Sequence, residues 1–209
     1  MKKNKSKLKI KKLLIVILVM AAIIFGMYKL VTILTPKDTT KAATVVSEIK
    51  AYGYTLDDNE TKLYNNLFKS LEKALNASKV DDKDYATLIS ELFVADFYNL
   101  DNKVSNSDIG GVQFIHASAK TNFILNAQDT IYKYVESNLN GNRDQDLPII
   151  TAIKVDSVET TTFKYNSKTY DAYEVKITTT YKTNLGYPTS VTLMIIHETT
   201  TKLAIVEVN

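Results

Sequence analysis

The sequence predicts an α+β domain carried behind one N-terminal transmembrane helix. Three observations lead there. Seven of the first twelve residues are lysine, and the next 22, residues 13–34, are almost wholly apolar. Apolar residues then recur at helical spacing as far as residue 139. After Pro148 they alternate instead, among Thr, Val, Ile and Tyr, as strands do.

The apolar run is taken first. At ~1.5 Å per residue it covers roughly 33 Å, enough for a hydrocarbon core of ~30 Å. Its single charge, Lys29, lies near the outer end, where its stem can snorkel toward the headgroups. Tyr28 suits an interfacial position, and Pro36 follows where a helix can stop. Lys2, Lys3, Lys5, Lys7, Lys9, Lys11 and Lys12 precede the run with no acidic residue among them. The positive-inside rule keeps that tail, residues 1–12, in the cytoplasm and sends the rest across the membrane. A cleaved signal peptide also starts basic and turns apolar. This run is longer than a signal core and closes without a small-x-small pattern, so an uncleaved anchor is expected. The same tail would be drawn to anionic lipid; it lacks the arginine and interleaved aromatics of a nucleic-acid arm, so no nucleic acid is expected as partner.

The chain carries 26 basic and 23 acidic residues. Eight of the basic ones lie before residue 37 and none of the acidic ones do, which leaves 18 against 23 beyond it, a net charge of −5. A mildly acidic body disfavours polyanionic partners. Cysteine is absent, which excludes disulfides, thiol catalysis, iron–sulfur clusters and cysteine-based zinc sites. No cofactor is expected.

Residues 35–44 read as a linker, and residues 45–209 as the exported domain. Val45 to Tyr52 suggests a brief helix. A first main helix is expected from Asp58 to Asn76, with Leu63, Leu67, Leu71 and Leu75 on its stripe and Asp57 or Asp58 as cap. A second runs from Asp81 to Leu100, with Tyr85, Leu88, Ile89, Leu92, Phe93 and Phe97 inward and acids in its first turn. A third, longer one is expected from Ile109 to Leu139, bent or split at Gly110-Gly111 or at Ser118 to Lys120. From 149 to 209 about four antiparallel strands are expected. Asn166-Ser167, Asn184 to Gly186 and Glu198 to Thr201 serve as their turns. The three helices would pack on one face of a curved sheet.

Candidate chemistry is sparse. The two histidines, His116 on the third helix and His197 closing a strand, have no partner at ligand spacing. Ser118 stands two residues from His116, and positions i and i+2 of a helix point apart. The stretch Glu136 to Asp144 places oxygen-bearing side chains at alternate positions around Gly141, an echo of a calcium loop. The twelfth place holds Leu147 instead of a bidentate Glu, so the stretch reads as a helix end and a polar loop. Asp81, Asp82 and Asp84 read as a cap. Asn76-Ala77-Ser78 matches a glycosylation sequon, and Gly110-Gly111 lacks the rest of a phosphate loop. The many aromatics are core at helical spacing, and several of them could instead line a cavity between helices and sheet.

A short basic tail, one membrane helix, a helical segment and a terminal antiparallel sheet resemble the membrane-anchored members of the NTF2-like superfamily, including the bitopic scaffold subunits of conjugation and type IV secretion machines. The resemblance lies in architecture and carries no diagnostic motif. It implies a cone-shaped fold with a groove between helices and sheet, used for protein contact more often than catalysis. Three functions follow as expectations. The first is a non-catalytic anchored domain that meets protein partners or itself at the outer membrane face. The second is a sensor holding a small ligand in an aromatic-lined pocket. The third is an enzyme using Asp or Tyr with His116.

Overall fold

A β-hairpin opens the described chain. In the computed structural model, which describes residues 43–209, β1 (Val45–Ile49) pairs antiparallel with β2 (Tyr54–Asp57). This corrects the brief helix expected over 45–52. The β-branched start and Gly53, at a φ of +68°, favour a turn back over a helical continuation. Asp58 closes the hairpin by accepting from the Thr44 N–H at 2.9 Å. It is therefore not the cap of the following helix. That cap is Thr61, whose Oγ1 accepts from Tyr64 N–H at 3.1 Å, and α1 runs over Lys62–Leu75.

The second helix, α2 (Asp82–Phe97), starts on Asp81, whose carboxylate accepts from the N–H groups of Lys83 and Asp84. Beyond the expected inward face, Ala86, Ser90, Val94, Ala95 and Asp96 are also buried. The helix contacts α1, the sheet and the 112–114 segment, so no broad side of it faces water.

The expected third helix is broken up. Gly111 takes a φ of +74° and leads into a single 3-10 turn, Val112–Phe114. Ile115 is extended and forms a parallel bridge with Ile205. Only Lys120–Asp129 is α-helical (α3), and turns follow to residue 134. Both expected break points are used. At the first, close packing requires glycine: a β-carbon on Gly110 would lie 2.4 Å from the Asp96 carbonyl oxygen, and one on Gly111 would lie 2.5 Å from the Phe93 ring. The chain has to cross α2 there on bare backbone.

Four antiparallel strands complete the domain in the order β3 (Ile150–Tyr165), β4 (Lys168–Tyr181), β5 (Ser190–His197), β6 (Leu203–Val208). The architecture is thus α+β, three helices with a four-stranded antiparallel sheet. All three expected turns connect strands. Asn166 and Ser167 both have positive φ, 48° and 65°, as a two-residue hairpin turn requires. Bulges interrupt β3 at two places and the β5–β6 pair at one, and such bulges bend strands. Val175, Ile177, Val191, Leu193, Ile195, Leu203 and Ile205 turn one face of the sheet into the main core with α1 and α2. Among the described residues no helix is long and apolar enough to cross a membrane; the expected span, residues 13–34, lies outside them.

Candidate functional site

The last turn of α2, α3 and β6 enclose a groove of about 370 Å³. Phe97, Tyr98, Phe123, Ala127 and Ile131 give it apolar lining. Asn122, Asn126 and Thr130, spaced four apart from α3 into its C-terminal turn, add a polar edge. The opposite wall is Ile205 to Val208 of β6, the last strand of the sheet. The aromatics are held by one another: Phe97 stands 5.1 Å from Phe123 and 5.4 Å from Tyr132 between ring centroids. Tyr132 is fixed in turn, donating to the Phe97 carbonyl at 2.8 Å and accepting from Gly110 N–H at 3.0 Å. The groove is therefore preformed. Its volume falls at the lower end of the range of small-molecule sites, roughly 300–1,000 Å³. Two depressions of about 520 and 480 Å³ elsewhere have polar rims of threonine, histidine and acidic side chains and no comparable aromatic floor.

Behind the groove lies a buried ionic cluster. Lys103 pairs with Asp96, and both are buried. The other Asp96 oxygen accepts from Gly111 N–H at 2.6 Å. Glu60 shares the site, and its Oε2 is buried with no hydrogen-bond partner. Burial, then the Asp96 charge, pushes Glu60 up to about 7, against the opposing pull of Lys103. Burial and the same neighbouring Asp96 raise Asp57. Desolvation acts to lower Lys103, but Asp96 and Glu60 outweigh it and hold the ammonium above its ordinary value. The cluster joins the entry to α1, the end of α2 and the glycine crossing, so its geometry serves the scaffold. Sequence reading missed it, although an Asp inside the apolar Phe93–Phe97 run was a visible signal.

Neither histidine stands at a catalytic set. His116 follows the extended Ile115 and is not on a helix; its N–H donates to the Ile205 carbonyl at 2.9 Å. Without a helix, residues 116 and 118 are free to meet. Ser118 Oγ lies 3.0 Å from His116 Nδ1 and 2.7 Å from the Tyr165 hydroxyl. The expectation that these two point apart is corrected. The trio is exposed, and no described carboxylate orients the second ring nitrogen of His116, so it lacks the third member of an activated nucleophile. It ties the β3–β4 turn to the β6 edge. His197 closes β5 as expected, and its Nε2 meets Asp82 Oδ2 at 3.0 Å, joining the sheet to the start of α2. Sequence spacing gave no hint of that carboxylate, which is 115 positions away.

In the Glu136–Asp144 loop a guanidinium takes the centre. Arg143 donates to the carbonyls of Asp101 (2.6 Å), Lys103 (2.8 Å) and Glu136 (3.2 Å). Leu147 is buried in the core. Among the described residues no group of three or more His, Asp or Glu side chains is disposed to hold a metal. The seven lysines expected to orient the chain, Lys2, Lys3, Lys5, Lys7, Lys9, Lys11 and Lys12, lie outside the described residues.

Comparison with protein families, with curated proteins and with solved structures finds no match to this chain.

Proposed function

We propose that this chain is a single-pass, membrane-anchored domain held outside the membrane, which works by non-catalytic contact with a protein partner, as in an envelope or transfer assembly. The groove between α3 and β6 is the observation that carries the reading. It is preformed, floored by aromatics, edged by amide side chains, and bounded by the last strand of a sheet. Aromatic-rich patches with polar rims are the surfaces on which proteins bind one another. The lysine tail and the 22-residue apolar run support the anchored setting. Helices followed by a four-stranded antiparallel sheet are compatible with the NTF2-like resemblance, which we retain as part of the proposal.

A photo-cross-linking residue at Asn126 of the full chain in intact cells tests this. The expected result is a discrete heavier adduct from Asn126 and none from a control at Thr180, on β4. Adduct formation at neither position would overturn the reading. The volume and aromatic floor of the groove favour a second reading, a small apolar ligand. In that case the purified chain would release a bound small molecule on denaturation, and Asn126 would give no protein adduct.

A further inference from the structure

We infer that the groove takes an extended peptide segment of another protein, which adds to β6 as a further strand and carries apolar side chains alternating with at least one basic side chain. The inference rests on the protein-contact reading above and names the partner chemistry.

The backbone of β6 shows which groups await a partner. Asn209 exchanges both hydrogen bonds with Thr192, at 2.8 and 2.9 Å. The neighbouring pair, Leu193 and Val208, is then a non-hydrogen-bonded one, and the N–H and C=O of Val208 turn away from β5. Ile205 also faces outward, since its carbonyl accepts from His116 N–H at 2.9 Å. That edge already receives one extended residue of this chain, Ile115, in a parallel bridge. The chain then leaves into α3. Among the described residues no strand continues the pairing along Val206 to Val208, and there the groove begins. A strand seated on Val208 would lie between β6 and α3, with alternate side chains over Phe97 and Phe123.

Charge chooses the occupant. Glu207 is the charged residue lining the groove, and the chain beyond residue 36 is net acidic by five. A basic segment fits; a second β6 does not, because antiparallel pairing about this short strand sets Glu207 near Glu207. The other sheet edge, β3, suits regular addition poorly, since two bulges interrupt it and Lys154 and Lys164 are exposed on it.

The test uses the full chain in detergent with a fluorescein-labelled peptide of alternating valine with lysine and threonine. Val208→Pro removes the outward N–H without touching the bonds to β5. It is expected to weaken peptide binding by roughly tenfold, the worth of about one hydrogen bond, with the thermal transition retained. Glu207→Lys is expected to reverse the preference between the lysine peptide and its glutamate counterpart, so the idea stays testable if the proline variant unfolds. Equal binding by both variants, or no saturable binding by either peptide, would overturn it. So would a dimer in sedimentation that Val208→Pro dissolves, which would make the occupant a second copy. An Asn126 adduct that persists undiminished in Val208→Pro removes strand addition and leaves the contact reading standing. Absence of any Asn126 adduct removes the contact reading itself.

Discussion

Glu60 has one carboxylate oxygen enclosed and unpartnered, faced by Asp57 from β2, Asp96 from α2, and Lys103 and Asp108 from the following loop. An acid whose folded pKa exceeds its unfolded one binds its proton more tightly when folded. Stability therefore falls as pH rises from the ordinary 4.5 to about 7, and levels off above. The size is on the order of 2–3 kcal/mol. Glu60→Gln is expected to flatten that fall and to raise the denaturation midpoint at pH 8, measured by chemical unfolding across pH 4–8. A variant whose pH profile parallels the parent would show that Glu60 ionises without strain. Gly111 makes a second residue-scale prediction. An alanine there meets both a positive φ and the Phe93 ring, so Gly111→Ala should cost about 2–4 kcal/mol by the same measurement. Neither effect is visible to periodicity: Glu60 sits in a polar stretch, and nothing in Gly110-Gly111 reveals which ring lies beneath it.

Elements were legible where local chemistry decides them. The Asp81 cap and the acidic first turn of α2 follow from backbone N–H groups a few residues away. The same holds for Asn166-Ser167, where the twist of the flanking strands demands positive φ at both positions. Asn meets that demand cheaply and Ser does not. Ser167→Gly is expected to stabilise the domain by about 0.5–1 kcal/mol in thermal unfolding, and a loss of stability would mean that the serine has a role the turn geometry does not require. Elements were misread where a distant partner decides them. Residues 109–119 have helical periodicity, yet Gly111 and the 3-10 turn Val112–Phe114 interrupt it, and Ile115 is held extended by its bridge to Ile205, ninety positions on. Val45–Ile49 likewise becomes a strand because Tyr54–Asp57 returns to pair with it.

At the scale of the whole molecule, the proposed reading gives placement to the tail and apolar run and recognition to the sheet edge. In the proposed topology protease added outside intact cells removes residues 43–209 and spares the lysine tail. Replacing Lys2, Lys3, Lys5, Lys7, Lys9, Lys11 and Lys12 by Gln should let part of the population insert in reverse, read as protease-resistant full-length domain. An unchanged digestion pattern would count against the lysines as the orienting signal. The sequence by itself determined the fold class, the three helical regions, the strand turns and the exclusion of cysteine chemistry, because composition, periodicity and turn residues act over a few neighbours. Only the tertiary structure decided that His116 leaves the helix and meets Ser118, that Lys103 is buried against Asp96, and that Phe97, Tyr98 and Phe123, at the edge of the core, also line a groove. Those outcomes depend on pairings between residues far apart in the chain, and long-range contact is the one quantity that spacing along a single sequence does not carry.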